Sequence, residues 1–148
     1  HTSNHFAYAL ENEHAVFSGD HIMGWSTTVI SPPDGDMADY FASLRKILDQ
    51  EFDAIWPTHG PPVRKTSEFV EAYIAHRLER EAQILRAMHA GDKTIPDMVE
   101  RIYVDVDRNL HPAACHSVYA HILHFLKQDK VAVADGGAPR VNSTYVLR

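Results

Sequence analysis

The sequence predicts an α/β layer over residues 1–62, followed by a mostly helical domain over residues 63–148. Three observations carry this reading. Strand-like, helix-like and strand-like stretches follow one another between His14 and Trp56, the order of an α/β unit. A Pro61-Pro62 pair then marks a boundary, beyond which the pattern turns helical. Near the C-terminus, two β-branched runs flank Asp135-Gly136-Gly137, the signal of a hairpin.

Taken in order, residues 5–10 (HFAYAL) and 14–18 (HAVFS) are rich in aromatic and β-branched side chains and are separated by Glu11-Asn12-Glu13, so they read as a β-hairpin. Pairing about that turn brings His1 and Asp20 to the same open end. Turn chemistry follows in SPPDGD, residues 31–36. Met37, Tyr40, Phe41, Leu44 and Leu48 recur at spacings of three and four, predicting an amphipathic helix to Gln50 with Asp36 as its N-cap. A short strand, Phe52 to Trp56, is stopped by Pro57.

Past the Pro-Pro pair, residues 66–90 predict a long helix whose apolar face carries Phe69, Val70, Tyr73, Ile74, Leu78, Leu85 and Met88, ended by Gly91-Asp92. A shorter helix is expected near 95–104, and a third opens at Pro112 and runs to about Lys127. Strands at Val131–Ala134 and Asn142–Leu147 complete the domain. Three helices followed by a hairpin is the layout of a winged helix.

Composition narrows the function classes. Hydrophobic residues make up 45% of the chain and charged residues 23%, as in ordinary soluble domains. No apolar run approaches the roughly 18 residues of a membrane span. The single cysteine, Cys115, excludes an internal disulfide framework and suits a reducing cytoplasm. Residues 1–60 hold two basic against nine acidic side chains, and residues 61–148 twelve against eleven. Strong binding to duplex DNA is therefore not expected, since it calls for a clear basic excess.

Histidine is over-represented: eleven in 148 residues. Three places set a metal-ligand side chain at a loop or strand end beside glycine or proline: His1 in HTSNH, Asp20 in FSGDH and His59 in PTHG. Imidazole and carboxylate are the ligands of hydrolytic zinc, and a neighbouring glycine lets the chain turn them into a shared cleft. Any one of them alone is more often structural. His5 and His21 read as neighbours that support the ligands or lie at the surface. His121 and His124 form an H-x-x-H on the third helix, read as a solvated or partly packed helix surface, and Cys115 as a small buried hydrophobe.

Together the motifs are more specific. Ser18-Gly19-Asp20 at a strand end, Thr58-His59-Gly60 after a later strand and the H-T-x-x-H of residues 1–5 resemble the metallo-β-lactamase superfamily. The stretch GWSTTVISPPDGDMADYFASL and the helical tail are similar to its branch with an appended winged helix, which includes lactamase-beta-2-like endoribonucleases and bacterial hydrolases. The resemblance implies that residues 1–62 are the C-terminal half of an αββα sandwich. It implies that His1, Asp20 and His59 are ligands of a two-zinc centre, with Asp20 bridging both ions as the catalytic carboxylate. Hydroxide generated there would attack an ester, a thioester or a phosphodiester, RNA included. The family's HxHxDH signature has no counterpart, so the sequence reads as truncated within the motif containing His1 and is expected to be inactive alone.

A small-molecule ester, a thioester or RNA is thus the expected substrate, with no membrane partner and a homodimer left open. The alternative is a non-catalytic winged-helix module that binds nucleic acid or a protein. Its third helix carries His116, His121, His124 and Lys127 but no arginine, which equips it poorly for phosphate contacts.

Overall fold

The computed structural model describes residues 2–148, so His1 lies outside the described residues. Two compact units are present: residues up to Ile30 together with Asp34–Arg77, and Ser31–Pro33 together with Leu78–Arg148. Among the described residues, no helix is long and apolar enough to cross a membrane.

The first unit is built on a three-stranded sheet of order β1-β2-β3, with β1 at Tyr8–Leu10, β2 at Ala15–Gly19 and β3 at Ala54–Pro57. The predicted hairpin forms: β1 pairs antiparallel with β2 in the register Tyr8↔Phe17, and a 3₁₀ turn over Glu11–Glu13 joins them through His14 in the left-handed region. β2 and β3 run parallel (Val16↔Ile55), which requires a crossover, and α1 (Met37–Asp49) provides it. Asp36 caps α1 by accepting from the amides of Ala38 (2.9 Å) and Asp39 (3.1 Å). The expected apolar stripe then buries Met37, Tyr40, Phe41 and Leu44.

Because side chains alternate along each strand, one sheet face carries the buried Val16 and Ile55, while the other presents Tyr8, Phe17 and Trp56 on a single rung. These three aromatics are 68%, 48% and 39% exposed. A row of that kind is an uncovered apolar surface rather than scattered exposure.

Helix α2 (Thr66–His89) contributes Val70, Tyr73 and Arg77 to the core of the first unit. Its later turns, with α3 (Ile95–Ile102), α4 (His111–Lys127), β4 (Val131–Val133) and β5 (Tyr145–Leu147), make the second unit. Pro96 and Pro112 sit in the first turns of α3 and α4, where a missing N–H costs nothing. β4 and β5 pair antiparallel with Val133↔Tyr145, so the three helices and hairpin foreseen for a winged helix are present. Ile84, Met88, Ile95, Met98, Val118, Ile122, Phe125 and Tyr145 fill the core.

One polar group interrupts that core. Glu81 Oε1 lies 2.7 Å from His124 Nδ1 and 3.5 Å from His121 Nδ1. His121 is wholly buried, so the reading of the H-x-x-H pair as a helix surface fails for it. Gln128 Nε2 approaches His124 Nε2 at 2.9 Å. An amide N–H only donates, so in this orientation His124 Nδ1 carries the proton offered to Glu81. Burial pushes the Glu81 carboxyl upward, but its interactions with the two imidazoles outweigh that and hold the group below the usual glutamate range. A depressed carboxylate stabilises the fold above its unfolded value and withdraws that support as the pH falls through the folded one. Glu81→Gln should therefore cost about 1–2 kcal/mol near neutrality. The gap to the wild type should close in acid, as denaturant unfolding at a series of pH values would record.

Candidate metal centre

The site is assembled from two loops of the first unit. Asp20 follows β2, where Gly19 adopts φ +57°, and its amide donates to His5 Nε2 at 3.2 Å. That ring packs so closely on Gly19 that a Cβ there would meet His5 Cε1 at 2.8 Å. The positive φ favours glycine here, and a Cβ would in addition displace the His5 ring. His5 Nε2 accepts from the Asp20 amide, so this ring nitrogen is directed at the aspartate's backbone.

His59 leaves β3 on the second loop, and the following Gly60 has φ +94°. The two loops are laced together: Thr58 N donates to Gly19 O at 3.2 Å, and Gly24 N donates to His59 O at 2.8 Å. As a result Asp20 Oδ1 and His59 Nε2 lie 3.5 Å apart, with side chains one-third and about half exposed. A carboxylate oxygen and an imidazole nitrogen turned toward each other are the types of donor that could hold a divalent ion.

The remaining sequence candidates fall as follows. His1 lies outside the described residues. His21 is buried, its ring edge-on to Tyr40 at 4.8 Å, so it supports the loop from the interior. Asp36 is engaged as the α1 cap, and Asp34 accepts from Ser3. Among the described residues, no group of three or more metal-binding side chains occurs. Asp20 and His59 are the two sequence candidates that the structure brings together.

Sequence reasoning missed what fixes the Asp20 loop. Thr28 Oγ1 lies 2.6 Å from Asp20 O and 3.1 Å from His21 O, and Tyr40 donates to His21 O at 2.9 Å. Arg77, buried on α2, donates to Thr28 O and lies 5.4 Å from the centre of the Tyr40 ring. The Tyr73 hydroxyl accepts from Met23 N at 3.1 Å and lies within donating distance of Met23 O (2.5 Å) and of Ser26 O. Burial pushes the Tyr73 phenol up to about 12, so it stays a neutral donor. In the sequence, Tyr40 and Tyr73 show only as members of apolar stripes.

The comparisons with known proteins bear on the family and the fold. A family profile, the beta-lactamase associated winged helix domain, matches residues 94–138. The chain is 39% identical over 119 residues to a beta-lactamase-like protein 2 homolog of Caenorhabditis elegans, covering 80% of this chain and 39% of that protein. Its counterpart in Drosophila melanogaster is 36% identical over 137 residues, covering 90% and 45%. An atrochrysone carboxyl ACP thioesterase of Claviceps purpurea is 29% identical over 109 residues, covering 70% and 34%. The chain thus spans less than half the length of these relatives. In fold it is similar to a beta-lactamase domain protein of Burkholderia ambifaria, with a TM-score of 0.78 at 19% identity over 93% of this chain and 42% of the other. Motif order, fold and relatives coincide, and the chain belongs to the metallo-β-lactamase superfamily, in the branch of the beta-lactamase-like protein 2 homologs that carries an appended winged helix.

Proposed function

We propose that this chain is the C-terminal part of a zinc-dependent hydrolase whose centre takes His1, Asp20 and His59 as ligands. The observation that carries the proposal is the 3.5 Å approach of Asp20 Oδ1 to His59 Nε2 across two glycine-shaped loops. The donor set suits zinc, which accepts imidazole and carboxylate together. When bound, the ions supply Lewis acidity and a water acidic enough to give hydroxide near neutral pH. Asp20 would offer the metal a carboxylate and His59 a ring nitrogen, while His5 holds the backbone from which Asp20 projects. Because the family's HxHxDH signature has no counterpart in this sequence, the chain alone is expected to be inactive.

The substrate class is an ester, thioester or phosphodiester. The thioesterase name of the fungal relative favours a thioester, and the winged helix keeps single-stranded RNA in view. A cytoplasmic location fits the lone cysteine. The competing reading, a binding module, is weakened because α4 turns His121 and His124 toward Glu81. Zinc-loaded full-length protein should be offered a thioester, a lactone and a single-stranded RNA. Zinc-dependent turnover of one of them is the expected result. Absence of turnover together with a salt-dependent gel shift by RNA would favour the binding module instead.

A further inference from the structure

We propose that Gly24 and Tyr73 are positioning residues that set the separation of Asp20 from His59, an inference resting on the metal-centre reading above. Three observations converge on Gly24. Its amide donates to His59 O at 2.8 Å, tying the Asp20 loop to the backbone of the second ligand. At Gly24 the loops meet backbone to backbone: a Cβ on Gly60 would meet Gly24 Cα at 2.8 Å, and a Cβ on Gly24 would meet Gly60 C at 3.1 Å and run into the Pro61 carbonyl. These contacts are backbone to backbone, so no side chain can yield to relieve them. Any substitution at Gly24 must part the loops.

Tyr73 closes the arrangement from α2. Its hydroxyl meets Met23 N, Met23 O and Ser26 O, gripping the loop on both sides of Gly24. The tyrosine is 4% exposed, and it reaches the loop across fifty positions of sequence. One phenol therefore fixes the segment whose Gly24 amide holds the His59 carbonyl. Neither residue touches a reacting atom. Both act through the position of the His59 loop relative to Asp20.

The test uses full-length protein and zinc alone, with affinity measured by competition against a chromophoric chelator and unfolding midpoints measured without zinc. Gly24→Ala and Tyr73→Phe should each lower zinc affinity by about 10- to 100-fold, as loss of ligand orientation does. In a His59→Ala background, Gly24→Ala should cost no further affinity, since it acts through His59. Tyr73→Phe removes one oxygen and carries the test if Gly24→Ala does not fold. Variants with lower unfolding midpoints but wild-type affinity would overturn the proposal, as would a Gly24→Ala loss that persists undiminished without His59. If His59→Ala and Asp20→Ala themselves bind zinc normally, the metal-centre reading falls and takes this inference with it. That outcome is distinguishable because it appears in the ligand variants.

Discussion

Asp20→Ala should strip the full-length protein of zinc and lower kcat/KM by more than about 100-fold, a larger loss than that from a residue merely orienting a ligand. The fold should survive the change. The contacts that shape this loop use the backbone of residue 20: its amide to His5 Nε2 and its carbonyl to Thr28 Oγ1. Alanine keeps both. Its side chain is one-third exposed, so truncation opens no sealed cavity. Loss of metal should therefore appear with little movement of the unfolding midpoint, and zinc content by elemental analysis beside thermal unfolding would record the two separately. Asp20→Asn, which keeps the shape and removes the charge, should fall between wild type and alanine. Normal zinc content and turnover in Asp20→Ala would remove the aspartate from the centre.

How much of this was legible in the sequence depends on how local each signal is. Asp36 directly before an apolar stripe announced its helix, and Asp135-Gly136-Gly137 announced the wing, because caps and turns are written in a few adjacent residues. Asp20 and His59 stood out because glycine marks where the chain must turn sharply to present a ligand. Pairs distant along the chain did not. Tyr73 is fifty positions from Met23, and Glu81 forty from His121.

The clearest departure lies along α2. There the sequence set Leu78 on the apolar face, whereas Leu78 is 48% exposed and Arg77 and Glu81 are buried at 3% and 8%. Helical geometry selects the buried line at Val70, Tyr73, Arg77, Glu81, Ile84 and Met88 regardless of polarity. Polar members are tolerated on it because the Thr28 carbonyl meets Arg77 and the two histidines meet Glu81. A reading keyed to hydrophobicity sees neither partner, and so exchanges one residue for its neighbour.

That polar line raises the question of what holds the second unit together, and Phe125→Ala should answer it with a loss of about 3–5 kcal/mol. Phe125 is wholly buried on α4, within a cluster that includes Met98, Ile122, Val131 and Tyr145, and its ring lies 5.7 Å from Lys130 Nζ. Alanine there loses the transfer energy of the ring and leaves a cavity that helix and strand neighbours cannot fully close. Domains are stable by about 5–15 kcal/mol in all, so this single truncation is a large fraction of what is available. Glu81→Gln, at about 1–2 kcal/mol, is the smaller loss because folding exchanges its hydrogen bonds with water for hydrogen bonds with histidine, while the ring has no such exchange. The probe matters. Both tryptophans, Trp25 and Trp56, lie in the first unit, so their fluorescence reports on that unit. Methyl signals of Ile84 and Ile122, both in the affected core, should be followed through a urea titration instead. Phe125→Leu, closer in volume, should recover most of the loss. If Phe125→Ala cost no more than Glu81→Gln, the polar triad rather than the apolar cluster would be holding the unit together.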